Sequence, residues 1–71
     1  MLQQNKKAIG YWYLSNTIAV NLIDIEYSIN DYAIIEDWNG NIHRLKIYYN
    51  TKNSYIRLYN NRYYFNNCIK Y

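Results

Sequence analysis

Asp37-Trp38-Asn39-Gly40-Asn41 is the stretch whose reading decides the fold. Asn-Gly between two β-prone runs is the strongest short-range hairpin signal, because both central residues of a type I′ turn need positive φ. With Asn39-Gly40 as a two-residue turn, 38 faces 41, 34 faces 45 and 32 faces 47. Tyr32, Ile34, Leu45 and Ile47 then share one face. The same stretch divides the charge. The five carboxylates, Asp24, Glu26, Asp31, Glu36 and Asp37, all precede Asn39. His43, Arg44, Lys46, Lys52, Arg57, Arg62 and Lys70 follow it, with no acid among them.

Working outward, three more turns extend this register. A loop at Asn50-Thr51-Lys52-Asn53 pairs 49 with 54, setting Ile47 beside Ile56 and Leu45 beside Leu58. Asn60-Asn61 as a two-residue turn pairs 59 with 62, setting Leu58 beside Tyr63 and Ile56 beside Phe65. Asn30-Asp31 sets Ile29 beside Tyr32 and Tyr27 beside Ile34. A one-residue slip would turn a strand over, so the convergence of apolar residues on one face supports the pairing.

Upstream, residues 8–14 (Ala-Ile-Gly-Tyr-Trp-Tyr-Leu) read as a first strand, followed by a turn at Ser15-Asn16-Thr17. Residues 18–30 carry two signals. Polar positions at 17, 21, 24, 28 and 31 fit one face of a helix. Against this, Ile23, Ile25, Tyr27 and Ile29 alternate with Asp24, Glu26, Ser28 and Asn30, and the β-branched residues favour a strand. The expected fold is all-β: an antiparallel meander of five to six strands, curled into a small SH3-like barrel to cover its apolar face. The alternative is α+β, with residues 17–29 helical on the sheet.

At 71 residues the chain reads as a single domain, 1–71, with residues 1–7 a flexible arm. Residues 1–7 lack the apolar core of a signal peptide, and no apolar run approaches a membrane span. One cysteine, Cys68, cannot form an internal disulfide and reads as a packing residue. These features lead us to expect a cytoplasmic protein with no membrane association.

Catalytic patterns are missing. There is one histidine and one cysteine, with no nucleophile elbow, phosphate-binding loop or paired metal-ligand motif. Glu36 falls opposite His43, a cross-strand pair beside a turn rather than an oriented general base. No cofactor, metal site or enzyme activity is expected.

The opposite sheet face carries more information. The register places Lys46 across from Arg57 with Tyr64 beside it. The adjoining rows hold Ile35, Arg44, Tyr59 and Arg62 on one side and Tyr48, Tyr55 and Asn66 on the other. Like charges directly opposite destabilise a sheet, so this face calls for an anionic partner. Tyr and Arg anchor protein interfaces, and they also stack on bases and contact phosphates of single strands. Internal Arg57–Tyr64 and Arg62–Tyr59 cation–π pairs would be the purely structural use of the same residues. A secondary acidic patch comprises Asp24, Glu26 and Asp37, with Asp24 across from Asp37. It reads as a solvated strand face ahead of a nucleic-acid mimic. Trp38 aligns with Ile34 and is expected to cap the core.

Asn, Ile, Tyr and Lys are abundant, proline is absent and glycine occurs twice, which is the residue usage of an A/T-rich genome. In this and in its brevity the chain resembles small phage or mobile-element accessory proteins of the anti-defence or host-takeover type. The resemblance implies a non-enzymatic protein that binds and inhibits a host protein machine. The alternative is a single-stranded nucleic-acid-binding module using the same face. A homo-oligomer that sets acidic strand against basic face is a third arrangement.

Overall fold

The computed structural model describes residues 8–15 and 18–71. The arm expected at 1–7 lies outside the described residues, as do 16 and 17 of the first turn. Among the described residues seven strands follow one another: β1 (Gly10–Tyr13), β2 (Ala19–Glu26), β3 (Tyr32–Glu36), β4 (Ile42–Lys46), β5 (Tyr55–Leu58), β6 (Asn61–Tyr64) and β7 (Ile69–Lys70). A 3₁₀ turn, Phe65–Asn67, precedes β7. The all-β antiparallel expectation is met, and of the span 17–29 considered for a helix, residues Ala19–Glu26 form β2. Among the described residues no helix is long and apolar enough to cross a membrane.

The strands form a five-stranded sheet in the order β4-β3-β2-β1-β7 and a separate β5-β6 hairpin. The expected barrel does not close. The ladder expected between β4 and β5 begins at the predicted register, with Tyr48 and Tyr55 exchanging backbone bonds of 2.8 and 3.0 Å, and ends there as an isolated bridge. Beyond it the hairpin swings over the sheet. The reason lies in Trp12 on β1, which packs edge-on against Tyr63 (6.0 Å) and Phe65 (5.3 Å). Its Nε1–H donates to the Tyr64 carbonyl at 2.7 Å. An apolar sheet face needs a second layer, and the hairpin supplies it. The core lies between them, built from Trp12, Val20, Leu22, Ala33, Ile35, Ile47, Ile56, Leu58 and Tyr63.

The central turn departs from the two-residue form. Gly40 N–H donates to the Asp37 carbonyl (3.0 Å) and Asp37 N–H to the Asn41 carbonyl (2.9 Å). Gly40 has φ 85°, whereas Asn39 keeps negative φ. This is a type I turn closed by a left-handed glycine, the three-residue hairpin loop. The cause is the Asp37 carboxylate, which accepts N–H bonds from Asn39 and Asn41, both at 2.9 Å. Aspartate at the first turn position favours this form. The register moves by one: Ile35 faces His43 and Ile34 faces Arg44. Strand β3 is therefore turned over relative to expectation. Ala33 and Ile35 are buried, whereas Tyr32 and Ile34 face outward.

The other turns adjust similarly. Asn60-Asn61 gives way to Tyr59-Asn60, with Tyr59 at φ 55°. Ile56 then faces Tyr63 and Leu58 faces Asn61. A shift of two preserves parity, so Ile56, Leu58 and Tyr63 still point inward. Asn30-Asp31 is replaced by a longer loop between Glu26 and Tyr32, which are themselves paired. Tyr27 and Ile29, expected in the core, are exposed on that loop. A register shift between Leu22 and Asp24 reverses the alternation in β2, so that Val20, Leu22 and then Ile25 reach the core.

Candidate functional site

Alternation in the hairpin decides which residues face solvent. With Ile56, Leu58 and Tyr63 inward, Tyr55, Arg57, Arg62 and Tyr64 lie on the outer face. The bridge to Tyr48 extends this face with a third ring. Tyr48 stacks on Tyr55 at 5.3 Å and 20°, and Tyr55 meets Tyr64 at 5.3 Å and 47°. The result is a short column of rings. Arg62 lies over Tyr55, 4.8 Å from its centroid, and its Nη1 donates to the Tyr64 hydroxyl at 3.4 Å. That bond, with the neighbouring rings, raises the Arg62 pKa above its ordinary value. Lys46 Nζ sits 5.6 Å from the Tyr48 ring.

Arg57 stands directly opposite Arg62 in the ladder and is exposed. Among the described residues it makes no ion pair. The like-charge pair inferred from sequence is therefore present with a different partner. It is Arg57 against Arg62, because the β4–β5 ladder stops before Lys46 can face Arg57. The internal cation–π contact is Arg62 on Tyr55, in place of Arg57–Tyr64 and Arg62–Tyr59.

Of the expected docking residues, Lys46, Tyr48, Tyr55, Arg57, Arg62 and Tyr64 come together. Arg44 does not join them. It projects from the outer face of the five-stranded sheet, bonded to Glu26 (Nε to Oε1, 2.8 Å) and stacked on Tyr32 at 3.8 Å. The Glu26 bond raises its pKa. Tyr59 also leaves the face, because its left-handed backbone turns the ring toward the β3–β4 turn.

The acidic patch is dispersed. Asp24 faces Ile34, where it was expected to face Asp37, and its Oδ1 accepts the Ile25 N–H at 2.8 Å. Glu26 is committed to Arg44. Asp37 is buried, at 3% exposure. The shifted register also replaces the expected Glu36–His43 pair: His43 Nε2 lies 2.9 Å from Asp37 Oδ2. The Tyr59 hydroxyl donates to the same oxygen at 3.1 Å. Asp37 thus sits among four donors, two backbone and two side-chain. The His43 bond first, then the backbone N–H groups and Tyr59, hold its carboxyl well below the usual range against the opposing effect of desolvation. The same contact raises the Tyr59 hydroxyl pKa. Tyr59 also packs on Trp38 (5.7 Å) and edge-on to His43 (5.9 Å). Trp38 is 40% exposed at the turn, so it does not cap the core as expected.

The sequence reading missed this Asp37–His43–Tyr59 junction. Its signal was an aspartate two residues before Asn-Gly, with a histidine and a second turn tyrosine downstream. The arrangement uses the carboxylate to tie two hairpin turns together. Cys68 is half-buried beside Gly10, and burial pushes its thiol pKa up. No group of three or more His, Cys, Asp or Glu side chains able to hold a metal occurs among the described residues. Comparison with protein-family models, with curated proteins and with solved structures returned no match. The site is therefore read from its own chemistry.

Proposed function

We propose that the protein is a non-enzymatic binding module whose Tyr48–Tyr55–Tyr64 face, edged by Lys46, Arg57 and Arg62, docks an acidic surface of a partner protein. The observation that carries this reading is the Arg57–Arg62 pair. Two arginines directly opposite in a two-stranded hairpin oppose folding, and no carboxylate among the described residues neutralises Arg57. A partner's carboxylates would relieve the repulsion. Tyr and Arg together are the side chains that anchor interfaces. The phage-like composition suggests the partner: a host machine, in the host cytoplasm, which docking inhibits.

The test is co-purification from host lysate, comparing the wild-type chain with an Arg57→Glu/Arg62→Glu variant. One stoichiometric protein should be recovered by the wild type and lost with the variant, and its activity should fall when the wild type is added. Recovery that survives charge reversal would place the interface elsewhere. The ring column favours a second reading, single-stranded nucleic acid, since successive bases stack on such rings while cations contact phosphates. In that case a labelled oligonucleotide binds directly, with affinity falling steeply as salt rises.

A further inference from the structure

A second feature lies on the outer face of the five-stranded sheet, at the end nearest the β3–β4 turn. Tyr11, Asn21, Glu36 and Ile42 form one cross-strand row through β1, β2, β3 and β4. Beside it is an open depression of about 610 Å³ lined by Ile18, Ala19, Asn21, Glu36, Trp38 and Gly40, with buried Asp37 behind. Its floor is low because Ala19 and Gly40 have little side chain. Glu36 Oε2 hangs over Gly40, 4.0 Å from where a Cβ would stand. Unlike Glu26 and Asp37, Glu36 has no ion pair among the described residues.

Trp38 supplies the wall, and its ring is held in place. Tyr59 packs against it, and Tyr59 is itself tethered by its hydroxyl to Asp37. Tyr59 takes φ 55° as the first central residue of the Tyr59-Asn60 turn, a backbone region costly for a tyrosine. The tethered tyrosine thus backs a part-exposed indole beside a carboxylate that has no ion pair among the described residues.

We infer that this depression is a recognition site for the guanidinium group of an arginine on a partner polypeptide. An indole face is the best side-chain surface for a cation. Guanidinium is favoured over ammonium because its planar fork stacks on the ring while donating to acceptors at its edge, here the Glu36 carboxylate and the Asn21 amide oxygen. The site is separate from the hairpin face, so either can fail without the other.

The test follows the two indole N–H signals by NMR while N-acetyl-arginine amide is titrated into the full chain. Trp12 is the internal control, since its Nε1–H is bonded inside the fold. The Trp38 signal should move and saturate while Trp12 stays fixed. Glu36→Gln should weaken the effect at least about fivefold, through loss of a charge-assisted contact. Its unchanged Trp12 signal would show that the fold is intact. A static Trp38 signal, or undiminished binding by Glu36→Gln, overturns the proposal. Equal binding of N-acetyl-lysine amide overturns the guanidinium assignment. Movement of Trp38 on simple dilution, without ligand, would instead identify a second copy as the occupant.

Discussion

Ile34 and Ile35 are adjacent and chemically identical, so together they report which face of β3 is buried. Ile35 is fully buried, whereas Ile34 lies half-buried on the outer face opposite Arg44. Removing one methylene from a close-packed core costs about 0.5–1.5 kcal/mol, and truncation of isoleucine to alanine about 2–5 kcal/mol. A chain of 71 residues has a net stability of roughly 4–10 kcal/mol at the usual yield per residue. Ile35→Ala therefore removes a large share of the stability, which makes Ile35→Val the cleaner probe. Its expected melting-temperature loss is about 2–12 °C for a domain this small. Ile34→Val should stay within about 0.5 kcal/mol, since it empties no cavity. Both variants lose similar strand propensity, so their difference isolates packing. Urea unfolding followed by tryptophan fluorescence gives the comparison through the midpoints, provided the slopes agree. Equal losses, or a greater loss at Ile34, would mean that β3 is the other way up and that Asn39-Gly40 is a two-residue turn after all.

Three further outcomes are expected. Arg57→Glu should raise the melting temperature of the isolated protein while weakening partner capture, and added salt should shrink the stability gain; a lower melting temperature would remove the repulsion argument. Because the Asp37 carboxyl is depressed in the fold, its contribution is complete above the ordinary aspartate pKa of about 4 and is lost as pH falls toward the folded value. Stability measured by urea midpoint should therefore decline with acidification below about pH 5, and Asp37→Asn should be less stable at neutral pH with a flatter acid slope. Gly10→Ala should loosen β7, since a Cβ there would lie 2.8 Å from Cys68 Sγ and 3.1 Å from the Ile69 carbonyl oxygen. Faster reaction of Cys68 with a thiol reagent is the readout, and an unchanged rate would refute it.

The all-β class was legible because turn residues punctuate β-branched and aromatic runs at short intervals. The inward faces of β5 and β6 were legible too, since Ile56, Leu58 and Tyr63 keep their parity under the two-residue shift. Strand β3 was not. Asn-Gly serves both a two-residue turn and a three-residue loop, and the choice falls to a side chain outside the dipeptide, that of Asp37. In β2, Val20 and Leu22 are apolar on even positions and Ile23 and Ile25 on odd ones, which conceals the register shift between them. The outward placing of Tyr55, Arg57, Arg62 and Tyr64 was legible where it depended on alternation along β5 and β6. Arg44 could not be separated from it, because its pairing with Glu26 depends on how three strands align. The Asp37–His43–Tyr59 junction joins two turns that touch only after the hairpin folds across the sheet.

The pairing of β1 with β7 also bears on how the chain is made. Gly10 and Tyr11 receive their second neighbours from Lys70 and Ile69. At a synthesis rate of roughly 5–20 residues per second, one edge of β1 waits about 3–12 s for that partner. During this interval a growing chain carries an open β edge beside the ring of Tyr11, after β2 has become available on the other side. Short intermediates of this kind are where nascent strands pair wrongly or meet a chaperone. The two residues of β7 therefore matter less for the area they cover than for when they arrive, since their emergence ends the period in which β1 is open to other strands.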